Sequence, residues 1–228
     1  MTGEAAFTVA GARLIACGSG ILWWPAHRLL AVADLHLEKG SAIAARGRFL
    51  PPYDTRATLE RLETCIAARD PEHVVCLGDS FHDKRAAARL VDGDRERLAA
   101  LVARQRWTWI EGNHDPLAPD GLGGEAAREL RVGPLTFRHE AATDRIASGE
   151  ISGHFHPKAI VLVRGRALHA RCFATDGRRL VLPAFGAYAG GLNVLDVAMR
   201  PLFAGRPSVY ALSRGRVDAI DPSRLAGG

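Results

Sequence analysis

Leu29-Leu30-Ala31-Val32-Ala33-Asp34-Leu35-His36 sets the fold class: five apolar residues in a row, then a carboxylate and an imidazole two positions apart. A short run that is apolar at every position suits a strand buried on both faces, as in a parallel sheet. Such a strand delivers its last residues to a site at its end, which places Asp34 and His36 at a sheet rim. The unit recurs downstream. His73–Leu77 ends in Gly78–Asp79, and Trp107–Ile110 ends in Glu111-Gly112-Asn113-His114-Asp115. Between these runs, Asp54–Arg69 carries Leu59, Leu62 and Ile66 at helical spacing, with Asp54 or Thr55 as its cap. Arg85–Arg104 reads as helix with an interruption near Gly93. Strand, polar corner and helix in repetition predict an α/β sheet with its site along one rim.

Outward from this centre, Phe7–Ala16 and Ile21–Trp24 read as two opening strands joined by a turn at Gly18–Gly20. The second half is different in kind. Glu129–Arg138, Ile160–Val163, Ala167–Thr175 and Arg179–Pro183 are short, β-rich and separated by Gly turns, and Val209–Ser213 and Val217–Ile220 form a hairpin. A second, more antiparallel sheet packed on the first is expected. No Pro/Ser/Gly-rich linker divides the chain, so residues 1–228 are read as one domain.

With 228 residues, 47% hydrophobic and 24% charged, the chain can bury a sizeable core. Cys17, Cys65, Cys76 and Cys172 are scattered and read as reduced packing residues. Met1–Ala16 makes a poor signal peptide, and the apolar stretches are too short to span a bilayer, so no membrane partner and a cytoplasmic location are expected. The net charge of +5 favours a polyanionic partner; its arginine richness fits phosphate recognition and biased genome composition equally. Trp23, Trp24, Trp107 and Trp109 read as core, with a base-stacking platform at Trp107 and Trp109 as the alternative.

Chemistry concentrates in the corners: Asp34-x-His36, Gly78–Asp79, Gly112-Asn113-His114-Asp115, His139, and Gly153-His154-x-His156. They offer oxygen and imidazole donors and no thiolate, which suits Mn²⁺, Fe²⁺, Zn²⁺ or Mg²⁺. Seven donors exceed the needs of one tetrahedral zinc, so a pair of cations sharing a carboxylate is expected.

In this order the motifs resemble the calcineurin-like metallophosphoesterase superfamily. The resemblance implies a four-layer α-β-β-α sandwich of two mixed sheets flanked by helices. It also implies ligands: Asp34, His36, Asp79 and His156 for one ion, and Asp79, Asn113, His139 and His154 for the other, with Asp79 bridging and Mn²⁺ the expected metal. The flanking residues Ala33-Asp34-Leu35-His36-Leu37-Glu38-Lys39-Gly40, Leu77-Gly78-Asp79-Ser80-Phe81-His82-Asp83 and Gly153-His154-Phe155-His156-Pro157 are similar to bacterial DNA-ligase-associated phosphoesterases. That implies a DNA endonuclease of a damage response, with an ATP-dependent DNA ligase and a DEAD/DEAH-type helicase as partners. Phosphatases of the superfamily carry Asp where this chain has His82, whereas its break-repair nucleases carry Gly-Asp-x-Phe-His, as here.

Two cations would activate a water and draw charge from the phosphoryl oxygens of a diester. His114, the motif histidine outside the ligand set, is then the expected proton donor, and His82 orients it or meets phosphate. The competing functions are a small-molecule phosphatase or pyrophosphatase, and an inactive scaffold of a repair complex. Metallo-β-lactamase chemistry lacks its compact H-x-H-x-D-H run. Asp115 reads as loop-stabilising, and His27, His73 and His169 as surface or half-buried residues. Lys39 and Lys158, just beyond metal motifs, either meet phosphate or are solvated.

Overall fold

Alternation of side chains explains why Leu29–Val32 has no polar position. In the computed structural model, which describes residues 3–48, 50–51, 53–114, 121–143 and 148–227, one sheet contains β1 (Glu4–Val9), β2 (Ala12–Cys17), β3 (Leu22–Trp24), β4 (Leu29–Val32), β5 (His73–Cys76), β6 (Arg106–Ile110) and β7 (Glu125–Ala127), side by side in chain order. β1 to β4 are antiparallel neighbours, and β4 to β7 run parallel. Leu30 and Val32 face one core with Val74, Cys76, Trp107 and Trp109. Leu29 and Ala31 face a second core with Val75 and Ile110. Both faces are dry.

The parallel strands are linked by α1 (Lys39–Ala44) and α2 (Asp54–Arg69), then α3 (Ala86–Arg89) and α4 (Asp92–Val102). Leu59, Leu62 and Ile66 of α2 and Leu98, Leu101 and Val102 of α4 fill the first core. The second sheet is built from β8 (Glu129–Val132), β9 (Leu135–Arg138), β10 (Glu150–Ser152), β11 (Lys158–Val163), β12 (Arg166–Thr175), β13 (Arg179–Val181), β14 (Ser208–Ser213) and β15 (Arg216–Ile220). Its order is β15-β14-β12-β13-β10-β9-β8, with β11 paired to β12. β9, β10 and β13 are parallel, and the remaining pairs are antiparallel. Phe137, Ile151, Phe173 and Leu180 meet the first sheet in the second core. At roughly 1.5–3 kcal/mol for each such side chain buried, this inter-sheet packing fixes how the two halves of the rim face one another. On the outer face of the second sheet the cover is thin: Val194, Met199, Leu202 and Phe203, around a 3₁₀ turn at Arg200–Leu202.

Two mixed sheets flanked by helices are therefore present, and α2 has the expected bounds. Several local expectations fail. Phe7–Ala16 is not one strand but a hairpin, turning at Ala10 and Gly11 with φ of 48° and 84°. That is the mirror-image turn that matches strand twist. Glu129–Arg138 likewise folds back, at Gly133–Pro134. The helix break falls at Leu90, in extended geometry, and Gly93 lies within α4. His73 is buried, sharing a hydrogen bond of 2.8 Å with Thr108. Trp107 and Trp109 are 2% and 3% exposed, so neither can stack on a base. All four cysteines are buried. No helix among the described residues is long and apolar enough to cross a membrane.

Candidate metal centre

The C-terminal ends of β4, β5, β6, β9 and β10 open onto the same rim, and each delivers one corner. Past the sheet edge the first two corners continue their pairing: Asp34 N–H donates to the Gly78 carbonyl, His36 N–H to Asp79, and Leu37 N–H to Ser80, at 3.3, 2.9 and 2.9 Å. Asp54 and Thr55 do not cap α2. Instead Thr55 Oγ1 accepts Glu38 N–H and donates to Glu38 Oε1, both at 2.8 Å, and Asp54 Oδ2 accepts Gly40 N–H at 2.9 Å. The helix thus clamps the loop that presents His36. From the second sheet, Gly153 N–H donates to the His139 carbonyl at 2.9 Å, joining the corners of β9 and β10.

The corners are tightly wound. Asp34, His36, Asp79, His154 and His156 all have positive φ, from 44° to 67°. Such conformations cost roughly 1–3 kcal/mol each in a non-glycine residue, and persist where surrounding structure fixes them. Five strained residues are five of the seven expected ligands.

They close into two groups whose donor atoms lie within 4.8 Å of one another: Asp34, His36 and His156, and Asp79, His139 and His154. In the first, His156 Nε2 is 3.3 Å from both Asp34 Oδ1 and His36 Nε2. In the second, His139 Nε2 is 3.5 Å from Asp79 Oδ1 and 3.1 Å from His154 Nδ1. His139 Nδ1–H donates to the Leu77 carbonyl at 2.8 Å, which leaves the Nε2 lone pair pointing inward. The amide of Asn113 stands 3.3 Å from His154 Nδ1, and a half-turn of that amide presents its oxygen. The two groups touch: His154 N–H donates to Asp34 Oδ2 at 3.0 Å, and His139 Nδ1 lies 3.9 Å from Asp34 Oδ1. All seven expected ligands are brought together.

Electrostatics favour cations here. Asp34 and Asp79 are 0% and 3% exposed, and among the described residues the basic groups within ion-pair distance of them are histidines. Buried carboxylates without a strong counter-charge are costly. Burial, then the neighbouring His156, Lys39, His114 and His82, drive His36 well below the usual imidazole range. Burial and His139 lower His154, and burial, Lys39 and His114 lower His82. Imidazole nitrogens gathered around buried carboxylates are the donor set a divalent ion requires.

Family comparison agrees with this geometry. Residues 27–176 match the calcineurin-like phosphoesterase family, a span holding every corner. The chain belongs to that family. As a calcineurin-like phosphoesterase it is a metal-dependent hydrolase, and its two donor groups correspond to a binuclear centre. Among solved structures, it is similar to a Pseudomonas putida nuclease, MPE, at 29% identity and a TM-score of 0.76, covering 96% of this chain and 100% of the other. A weaker likeness is to Yfce, a phosphoesterase from E. coli, at 15% identity and a TM-score of 0.46, over 84% and 97% of the two chains. No curated protein matches the chain.

Beside this phosphoesterase's donor groups sit His114 and His82, the two motif histidines expected outside the ligand set. His114 N–H donates to Asp79 Oδ1 at 2.9 Å, and its ring lies 5.5 Å from those of His36 and His82, nearly parallel to the latter. Lys39 is half-buried, its charge acting on both His36 and His82, which favours the phosphate-facing alternative for it. Asp115 lies outside the described residues. Two supports went unforeseen: the Leu77 carbonyl, which has no side-chain signal, and Gly78. At φ +74°, a Cβ on Gly78 would fall 2.5 Å from His139 Nδ1. Gly78→Ala is expected to push His139 off the Leu77 carbonyl and weaken Mn²⁺ binding by about 10–100-fold, the range for losing an orienting partner. Isothermal titration reads it, and wild-type affinity would mean that His139 is not held this way.

Proposed function

We propose that the chain is a nuclease, cleaving the phosphodiester bonds of DNA, with RNA as a second substrate, endonucleolytically within DNA repair. The observation that carries this is the double donor group with His82 and His114 beside it, in a chain aligned along nearly its whole length with a nuclease. When bound, a cation pair supplies Lewis acidity toward the phosphoryl group and makes water a better nucleophile at neutral pH. The ligands proposed are Asp34, His36 and His156 for one ion and Asp79, Asn113, His139 and His154 for the other, with Asp79 reaching both. Mn²⁺ is the proposed metal on the chemistry of mixed nitrogen and oxygen donors.

The remaining work belongs to side chains. A diester's leaving alkoxide is poor and needs a proton; His114, half-exposed at the mouth and tethered through its backbone to Asp79, is placed to give one. His82 stacks on His114 and is the orienting residue. The resemblance of this motif to that of break-repair nucleases, where related phosphatases carry Asp, supports a diester substrate. The repair setting, with its ligase and helicase partners, is supported by the flanking residues of the three motifs.

The test is hydrolysis, in Mn²⁺, of circular single-stranded DNA, of a chromogenic diester and of a chromogenic monoester. Cutting of the circle and the diester is expected. Turnover of the monoester alone would replace the nuclease with a phosphatase.

A further inference from the structure

Two residues beyond His156, the chain enters β11 with Lys158, and the register of β11 on β12 sets Lys158 opposite Arg171. Ile160 is opposite His169, so by the period of two His169 shares the face of Arg171, diagonal to Lys158. The three basic side chains, with Gly186, Ala187 and Leu212, line a cavity of about 400 Å³ that has no acidic lining residue. Like charges directly opposite on a strand pair are unfavourable. Among the described residues none of the three is ion-paired to a carboxylate.

A further guanidinium crowds the same wall. Arg171 Nη1 donates to the Ala184 carbonyl at 2.8 Å and to that of Phe185 at 3.4 Å, and Arg61 Nη2 donates to Phe185 as well. Burial and the nearness of Arg171 lower Arg61 to about 10. This wall is attached to the metal corner itself: Phe185 N–H donates to the Ala33 carbonyl at 2.8 Å and Gly186 N–H to that of Asp34 at 3.1 Å. Gly191 packs between Lys158 and the metal corner, where a Cβ would lie 3.1 Å from the Lys158 side chain and 2.1 Å from the His156 carbonyl oxygen. Uncompensated positive charge, concave and bonded to the backbone of Ala33 and the expected ligand Asp34, calls for an anion held at a fixed offset from the centre.

We propose that this cavity is a subsite for a backbone phosphate of the polynucleotide strand, adjacent to the phosphate being cut. It rests on the nuclease assignment, which supplies a substrate with a second phosphate to bind. Arg171 and Lys158 hold the phosphate oxygens, His169 closes the exposed side, and Leu212 and Ala187 offer carbon surface to the sugar.

The probe is a labelled phosphorothioate oligothymidylate, which resists hydrolysis, titrated by fluorescence anisotropy against the Mn²⁺-loaded protein at several salt concentrations. Lys158→Glu, Lys158→Ala and His169→Glu are compared with wild type; Arg171 is left in place because it carries two backbone carbonyls. Each charge reversal is expected to weaken binding about tenfold or more and to flatten the log–log salt slope by about 0.7 for a lost single-strand phosphate contact. Melting temperatures verify the fold, and if Lys158→Glu melts early, Lys158→Ala and His169→Glu carry the comparison. Unchanged affinity and slope overturn the subsite, as does absence of oligonucleotide binding. Displacement by inorganic phosphate below a millimolar would mean a small-anion pocket and also overturns it. Cleavage of circular DNA is scored separately: binding with these responses but no cleavage would sink the nuclease assignment and keep the subsite.

Discussion

Asp79→Asn is expected to release both metal ions together, with Mn²⁺ content falling towards none per chain and hydrolysis of every phosphoester falling with it. The side chain is almost fully buried, and its two oxygens have different surroundings. Oδ1 accepts His114 N–H at 2.9 Å and lies 3.5 Å from His139 Nε2, while Oδ2 is 3.9 Å from His114 Nε2. An amide of the same shape keeps the packing but removes a full negative charge, and one end of it becomes a donor where a cation ligand is needed. Loss of an orienting partner alone costs about 10–100-fold in metal affinity; a bridging carboxylate should cost more, at both sites. Elemental analysis after dialysis against Mn²⁺ reads the outcome. If one ion stays at full occupancy, Asp79 serves only the group of His139 and His154, and the bridge is lost from the scheme. Asp34→Asn separates the cases further, since Asp34 belongs to the group of His36 and His156.

Why so much of this centre was visible in sequence is a matter of chemistry at strand ends. Asp34, His36, Asp79 and Asn113 stand within three residues of the ends of apolar runs, and polar residues at such corners have few structural uses. His154 and His156 share a corner and a spacing. His139 has no such context: only the fold reveals that it lies under Gly78 and donates to Leu77, contacts 61 and 62 positions away in number. The same limit hid the Lys158, His169 and Arg171 cluster, because cross-strand register is set by a turn, Arg164–Gly165, that does not announce itself. The hairpin at Ala10–Gly11 was missed for that reason too. Such turns are signalled by Asn-Gly or Asp-Gly, and here Ala and Arg take the strained first position. Asp54 and Thr55 were recognised as polar residues at a helix start, where capping is the common role. Tertiary contact redirected them to the Glu38–Gly40 loop, and the helix gives up a side-chain cap to steady His36.

His114→Ala is expected to lower kcat on DNA, whose leaving group is an alkoxide, by about 10²–10⁴-fold, the usual value of a placed proton donor, while Mn²⁺ content stays near wild type. The second half of this outcome follows from how His114 is attached. What holds Asp79 is the His114 backbone N–H, which alanine retains, and the ring stands 5.5 Å from the His36 ring, outside both donor groups. Loss of metal in His114→Ala would make the histidine a ligand and remove it from proton transfer. A leaving group that needs no proton supplies a second check: a nitrophenolate ester should be hydrolysed with a much smaller deficit than an alkyl ester. His82 can then be assigned by a double-mutant cycle. Its ring stacks on His114 at 17°, and burial, then Lys39 and His114, lower its pKa. If it acts by orienting His114, His82→Ala should slow the wild type but change little in the His114→Ala background, because the group it positions is already gone. Additive losses would instead give His82 its own contact with the phosphate, and a rise in KM with kcat preserved would identify that contact as one of binding.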